Sequence, residues 1–126
     1  MGPGGTGHPG FFYRPTVITD ITPDMRVATE EVFGPVALLF RVASADEALR
    51  VANGTEFGLG SSVWSTDPDE QLRFVNDLEA GLVFVNGMVA SMPALPFGGI
   101  KSSGHGRELS AHGIREFCNI KAVSIS

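Results

Sequence analysis

Two short runs of apolar residues constrain the fold more than any other feature of this chain. The segment VALLFRV (36–42) is apolar up to Arg41, and LVFVN (82–86) is apolar up to its final asparagine. A strand that is apolar on both faces is typical of a parallel sheet covered by helices on both sides. The sequence therefore predicts an α/β protein.

Two segments beside these strands have the start and stop signals of helices. In SADEALRVANG (44–54), Ser44 and Glu47 form a capping-box pattern, and the Asn-Gly pair supplies a stop. In DPDEQLRFVNDLEAG (67–81), Asp67 is the predicted cap, proline follows at the first helical position, Glu70 completes a box and Gly81 ends the helix.

Each predicted helix has an apolar row at helical spacing, which we expect to be buried. The two rows are Ala45, Ala48, Leu49 and Ala52 in the first helix, and Leu72, Val75 and Leu78, with Phe74 beside them, in the second.

The remaining elements have weaker signals. We expect an edge or interrupted strand over 11–21, because Pro15 cannot donate to a ladder, and a short helix over 22–31 that begins at Thr22 and Pro23. A strand is predicted over 60–66, a glycine-interrupted helix over 108–119 and a last strand over 120–126. Strands that alternate with helices at this spacing predict parallel βαβ units. An unpaired last strand is an exposed edge, which indicates a partner or a missing piece of sheet.

Length and charge limit the classes of protein that remain. The chain has 126 residues, which is one domain or part of one, and its net charge of −5 argues against nucleic acid or an anionic membrane as a partner.

A single cysteine allows no internal disulfide and favours a reducing, cytoplasmic compartment. No apolar run approaches the roughly 20 residues of a membrane span. Residues 1–10 are rich in glycine and proline, and we expect a flexible leader.

Two glycine-rich motifs resemble nucleotide-binding loops but fail the test of context. GPGGTG (2–7) matches G-x-G-x-x-G, yet no strand precedes it and no helix follows it. GIKSSGH (99–105) has His105 where a Walker A loop has its lysine. Neither motif predicts a phosphate site.

Metal binding and cysteine catalysis have little support in the residues. His8, His105 and His112 lie in different local contexts, with none of the spacings of metal ligands, so no metal site is predicted. Cys118 lies between a predicted helix and a predicted strand, with no histidine close by in sequence, and we expect a buried, inert thiol.

The acidic pair in EEVFGP (30–35) leaves two interpretations open. Two carboxylates at the end of a short helix stand where the helix dipole disfavours them. They are either a solvated pair before a turn or a group positioned for a ligand rich in hydroxyls. On the residues alone, the solvated pair is favoured.

Four ordered motifs resemble one family. EEVFGPV, FGLGSSVW, EAGLVFVN and PFGGIKSSGHGRE…GIREFCNIKAV occur in the order and spacing of the C-terminal part of the NAD(P)-dependent aldehyde dehydrogenases. The resemblance extends from about residue 10 to residue 126 and is strongest to the bacterial succinate-semialdehyde dehydrogenases. It implies that 11–119 form the second half of the catalytic domain, with a mostly parallel sheet and flanking helices, and that 120–126 form a strand used in oligomer contacts.

The resemblance also implies a reaction and a set of site residues. In this family a cysteine thiolate attacks the aldehyde, hydride passes to NAD or NADP, and a glutamate-activated water releases the acid. Glu31 matches the glutamate that binds the nicotinamide-ribose hydroxyls, and Phe33 matches the aromatic beside that ribose. Phe97 matches a ring of the aldehyde tunnel, and Ser91 a serine near the substrate carboxylate. The rest of PFGGIKSSGHGRE, including Lys101 and Arg107, is expected to fix the path of the loop.

Some parts of the family pattern have no counterpart here. The motifs of the cofactor-binding domain, the nucleophilic cysteine and the general-base glutamate are absent from the sequence, and Cys118 matches no catalytic position. Asn119 replaces a glutamate that some members carry, which removes a proton-relay group. We therefore expect a fragment of a homo-oligomeric dehydrogenase that is inactive alone. The alternatives are a non-catalytic chain that pairs with a full-length subunit through its sheet edge, and a product that barely folds.

Overall fold

The computed structural model describes residues 10–126, and the chain divides into two units, Met1–Ser44 and Ala45–Ser126. The predicted leader therefore lies outside the described residues except for Gly10, as do the GPGGTG motif and His8. No helix within 10–126 is long and apolar enough to cross a membrane.

The first unit contains two parallel strands joined by a single turn of helix. β1 (Thr16–Ile18) pairs with β2 (Val36–Leu38), and a 3-10 helix (Arg26–Ala28) lies between them. β1 follows Pro15 inside the segment predicted as an interrupted strand. The helix begins after Met25 rather than at Thr22, because the Thr22 hydroxyl donates to Asp24 and caps no helix.

The prediction that 36–42 is a strand covered on both faces is wrong for this unit. β2 ends at Leu38, and the next two side chains, Leu39 and Phe40, are 48% and 36% exposed. An apolar run indicates a surface that has to be covered, but the described part of this unit has no α-helix that could cover it.

The second unit contains the predicted βαβ arrangement. Its elements are α1 (Ala45–Asn53), β3 (Phe57–Gly58), β4 (Gly60–Val63), α2 (Pro68–Asp77), β5 (Leu82–Val85), β6 (Ile100–Lys101) and α3 (Ser110–Glu116). β4 and β5 are parallel, from Gly60 opposite Leu82 to Val63 opposite Val85, and α2 connects them. The antiparallel pair of β3 and β6 was not predicted, because residues 97–107 read as a loop.

The core of the second unit is small. Leu49 on α1, Val63 at the end of β4 and Leu82 at the start of β5 are buried. The predicted α1 row is confirmed at Leu49, whereas Ala52 is exposed.

The apolar row predicted for α2 is wrong at two of its three positions. Leu72 is 60% and Val75 43% exposed, whereas the half-buried row is Gln71, Phe74 and Leu78. A polar contact explains the difference. The Gln71 side chain donates to the Ser65 carbonyl at 2.7 Å, and this bond turns the Gln71 side of the helix inward.

The start of α2 confirms the predicted cap but not the predicted box. The Asp67 carboxylate accepts from the backbone N–H groups of Asp69 at 2.9 Å and Glu70 at 3.4 Å. The Asp67 N–H donates to the Ser65 hydroxyl, which in turn donates to the Glu70 carboxylate. The Ser65 hydroxyl therefore bridges the Asp67 N–H and the Glu70 carboxylate, which would bond to each other directly in a capping box.

Gly81 has a larger role than the predicted helix stop. α2 ends at Asp77, and Leu78 is already extended. The Gly81 N–H donates to the Gly58 carbonyl at 3.0 Å, and a Cβ atom at position 81 would overlap the carbonyl oxygen of Gly98. Three chain segments thus meet with their backbones in contact, which only a residue without a side chain permits.

Residues 120–126, predicted as a last strand, pair with no other described segment. A strand needs a neighbour for its backbone N–H and C=O groups, and the described residues supply none. Pairing of this segment with another chain stays a prediction.

We predict that Gly81→Ala lowers the free energy of unfolding by about 3 kcal/mol, because the added methyl group forces the backbones of residues 81 and 98 apart. Urea titration of the full chain measures the effect. The matched control is Gly87→Ala, since a Cβ atom there meets nothing closer than 3.9 Å. Equal losses in the two variants would contradict the proposed contact.

Candidate functional site

Glu31 and Phe33 lie in the first unit, in the segment between the 3-10 helix and β2. Both side chains are exposed, and that of Phe33 is 95% exposed. The turn at Gly34 and Pro35 follows, and the Pro35 carbonyl accepts from the Thr16 N–H at 2.9 Å. The segment is therefore fastened to β1 directly after the two candidate residues.

The two adjacent carboxylates of this segment differ in their partners. The Arg26 guanidinium donates to both oxygens of Glu30, at 2.9 and 2.8 Å. This hydrogen bonding lowers the pKa of the Glu30 carboxyl from its usual value. The Glu31 carboxylate forms no hydrogen bond or ion pair with any residue of 10–126. The Glu30 carboxylate is thus held by Arg26 of the preceding helix, and the Glu31 carboxylate is open to a ligand.

Phe97 lies in the second unit and is held by its backbone. Its N–H donates to the Glu108 carbonyl at 2.8 Å, and the Glu108 N–H donates back at 2.6 Å, which forms an antiparallel bridge. Beside this bridge the Arg107 guanidinium donates to the carbonyls of Gly99 at 2.9 Å and Gly106 at 2.7 Å. The half-buried ring of Phe97 is therefore carried on a loop fixed from both sides.

Lys101 joins this loop to the ends of two helices. Its ammonium donates to the carbonyls of Asn53 at 2.9 Å and Thr55 at 3.1 Å and pairs with the Glu79 carboxylate at 2.6 Å. The Asn53 side chain in turn bonds to the backbones of Asp77 and Glu79. A cation at a helix C-terminus satisfies carbonyls that the helix leaves unpaired.

These contacts argue against an anion site in PFGGIKSSGHGRE. Both of its basic side chains, Lys101 and Arg107, are used on backbone carbonyls of the same unit. The prediction that these two residues fix the path of the loop is confirmed.

Ser91 is exposed in the loop over 87–95. Val89 packs over Gly60, where an added Cβ atom would lie 2.8 Å from a Val89 methyl group. The Pro93 carbonyl accepts from the Ser110 N–H at 3.0 Å. Ser91 therefore lies between two anchored positions of one loop.

A groove of about 720 Å³ lies beside the Phe97–Glu108 bridge and includes neither Phe97 nor Ser91. It is lined by Pro93, Glu108, Leu109, Ser110, Gly113, Ile114 and Phe117. Leu109 and Ser110 have positive φ angles of 59° and 52°. Neither residue type signals this backbone conformation, so sequence reasoning could not have found the groove.

The expectation of a buried cysteine is wrong. Cys118 is exposed, and its thiol donates to the Ile114 carbonyl at 3.4 Å. The thiol stands just past the short helix α3, where there is no core to cover it. Within residues 10–126 no group of three or more histidine, cysteine, aspartate or glutamate side chains could hold a metal ion.

Comparison with known proteins agrees with the resemblance of the motifs. The sequence profile of the aldehyde dehydrogenase family matches residues 2–123. The chain is 67% identical over 115 residues to succinate-semialdehyde dehydrogenase (NADP(+)) 1 of Mycobacterium ulcerans, a match that covers 91% of this chain and 25% of that protein. The protein of the same name from Mycobacterium tuberculosis is 66% identical over 118 residues, or 94% of this chain and 26% of the relative. The chain thus spans about a quarter of the length of these relatives.

Solved structures show the same likeness. The crystal structure of succinic semialdehyde dehydrogenase from Streptococcus pyogenes in complex with NADP+ matches with a TM-score of 0.90 and 40% identity, over 97% of this chain and 27% of that chain. Succinate-semialdehyde dehydrogenase from Burkholderia pseudomallei matches with a TM-score of 0.79 and 49% identity, over 84% and 22%.

We predict that Lys101→Met lowers the free energy of unfolding by about 2 kcal/mol, because two carbonyls and one carboxylate lose a charged donor while the aliphatic stem is kept. Lys121→Met is the matched control, since Lys121 is exposed and also follows an isoleucine. The free energy of unfolding of this control should change by no more than about 0.5 kcal/mol. Urea melts in which the two variants behave alike would show that the Lys101 contacts do not hold the loop.

Proposed function

Because the chain belongs to the aldehyde dehydrogenase family, we propose that it forms the part of an NAD(P)-dependent dehydrogenase that lines the nicotinamide-ribose and aldehyde sites. The observation that carries this proposal is the match to succinate-semialdehyde dehydrogenases at 66–67% identity over more than nine-tenths of the chain. The proposed substrate is succinate semialdehyde, and the names of these relatives favour NADP as the cofactor.

The residues of the first unit fit a cofactor ribose. The Glu31 carboxylate is an acceptor without a protein partner among the described residues, and it can accept hydrogen bonds from two neighbouring hydroxyls. The exposed ring of Phe33 offers an apolar surface to the sugar. When bound, the nicotinamide supplies the hydride acceptor, while these two side chains bind and orient the ribose that carries it.

The residues of the second unit fit the aldehyde. The ring of Phe97, held by the bridge to Glu108, provides a rigid apolar wall beside the substrate chain. The Ser91 hydroxyl is a donor that can bond to the carboxylate at the far end of succinate semialdehyde.

The thiol nucleophile is proposed to come from residues other than these 126. Cys118 is the only cysteine in the sequence, and its thiol is bonded to a helix-end carbonyl. We therefore expect the 126 residues alone to show no aldehyde oxidation. NADP-dependent oxidation that survives Cys118→Ala would overturn this expectation.

A second candidate function is association with a full-length dehydrogenase subunit. The unpaired segment 120–126 favours it, because Ile120, Val123 and Ile125 are 95%, 74% and 93% exposed. Strand addition would give its backbone the partners that the described residues lack. Co-purification of the chain with the Mycobacterium tuberculosis relative tests this, and the absence of a mixed oligomer would exclude it.

A chimera tests the main proposal. The 118 matching residues of the Mycobacterium tuberculosis relative are replaced by those of this chain. We expect a folded enzyme that oxidises succinate semialdehyde with NADP at a kcat within about tenfold of the parent, a difference of about 1.4 kcal/mol in barrier. A folded chimera without this activity would refute the proposal.

In the chimera we predict that Glu31→Gln raises the KM for NADP about tenfold, because the ribose hydroxyls lose a charged acceptor worth roughly 1.5 kcal/mol. Glu30→Gln is the matched control, since it changes the neighbouring carboxylate, which is paired with Arg26. Steady-state kinetics with NADP as the varied substrate should show an unchanged KM in the control. A rise in both variants would assign the effect to local structure.

A further inference from the structure

The side chain of Asn86 forms a two-way hydrogen-bonded clasp with the backbone of Ser65. Its amide oxygen accepts from the Ser65 N–H at 3.0 Å, and its amide nitrogen donates to the Ser65 carbonyl at 2.9 Å. Asn86 directly follows β5 and Ser65 lies two residues past β4, so the clasp closes the carboxyl edge of the parallel pair. Ligands of α/β proteins bind at this edge of the sheet.

Ser65 is also held from the side of α2. Its carbonyl accepts a second bond, from the Gln71 side chain at 2.7 Å. Its hydroxyl accepts from the Asp67 N–H at 3.1 Å and donates to the Glu70 carboxylate. Because Ser65 is fixed independently by the helix, it can act as the fixed point to which Asn86 ties the end of β5.

The backbone of Asn86 is part of the same arrangement. Its N–H donates to the Val63 carbonyl at 2.8 Å, the last bond of the ladder, and its φ angle is +54°. Asparagine tolerates this left-handed conformation better than most residues. The chain therefore turns out of the sheet at Asn86, and the clasp sets the direction in which the next loop leaves.

The loop that leaves the sheet here carries Ser91. Its later contacts are the packing of Val89 on Gly60 and the bond between Pro93 and Ser110. On the strand side of Ser91, the polar anchors among the described residues are the clasp and the bond from the Asn86 N–H to the Val63 carbonyl, both at Asn86. A small change of direction at Asn86 therefore moves Ser91 while Pro93 stays tied to α3.

We propose that Asn86 is a positioning residue for substrate recognition, which acts through the loop over 87–95 and sets the reach of the Ser91 hydroxyl to the carboxylate of the aldehyde substrate. This inference rests on the proposed function. It assigns Asn86 a part in discriminating charged from uncharged aldehydes and no part in the chemical step.

The test compares two aldehydes in the chimeric enzyme. Asn86→Gly removes both side-chain bonds and keeps the freedom of the positive φ angle. We expect a roughly tenfold rise in the KM for succinate semialdehyde, a kcat within about twofold, and an unchanged KM for butanal. Asn76→Ala is the control, since it removes an exposed asparagine side chain of α2 that is not part of the clasp, and it should leave both KM values unchanged. A rise of the KM for both aldehydes, or for neither, in Asn86→Gly overturns the inference.

A parallel Ser91→Ala variant separates this inference from the proposed function. If Ser91→Ala shifts the preference between the two aldehydes and Asn86→Gly does not, the proposed role of Ser91 stands and the inference about Asn86 is overturned. If Asn86→Gly shifts the preference and Ser91→Ala does not, the proposed role of Ser91 is wrong, and the inference falls with it because Asn86 is proposed to act through that hydroxyl. If the chimera is folded but inactive, the proposed function fails, and hydrogen exchange of the full 126-residue chain decides the inference. Faster exchange over 87–92 in Asn86→Gly, with unchanged exchange in α3, supports it, and equal exchange in the two proteins overturns it.

Discussion

The contact between the backbones of Gly81 and Gly98 is the constraint on which the second unit depends. It places the start of β5 against the loop that carries Phe97, at a distance that leaves no room for a Cβ atom. The bond from Gly81 to the Gly58 carbonyl brings β3 to the same place, and Lys101 then reaches the end of α1 from the adjacent strand. The candidate substrate loop is thus fixed by backbone approach rather than by a large apolar core.

Local sequence signals predicted the helices and strands of this fold better than they predicted how these elements pair and which of their faces are buried. The cap at Asp67, the two main helices and the parallel pair of β4 and β5 were predictable because their causes lie within a few residues. The pairing of β3 with β6 was not predictable, because it joins residues more than forty positions apart and no alternation of apolar residues indicates either strand. The rotation of α2 was mispredicted for a related reason: apolar spacing favoured Leu72 and Val75, but the bond from Gln71 to Ser65 decided it.

The candidate site was likewise predictable in the identity of its residues but not in their contacts. The motifs matched Glu31, Phe33, Ser91 and Phe97 to positions of the family, but they gave no physical reason to choose Glu31 over Glu30. Only the structure shows that Arg26 occupies one carboxylate and leaves the other open. Likewise Lys101 and Arg107 were expected to fix the path of their loop, but only the structure shows that they do so through hydrogen bonds to backbone carbonyls. A side chain's type limits its possible partners, and the fold selects among them.

The way the candidate substrate residues are held bears on how such a site can be tuned. Phe97 is fixed by a backbone bridge and Ser91 lies on a loop between two anchors, so neither position depends directly on the identity of core side chains. Apolar residues of the same unit, such as Leu72 and Ile114, remain 60% and 71% exposed and can be covered by other polypeptide without moving these anchors. Since hydrogen bonds are directional and apolar burial is not, the clasp and the bridge can set the geometry of the site while apolar contacts supply stability.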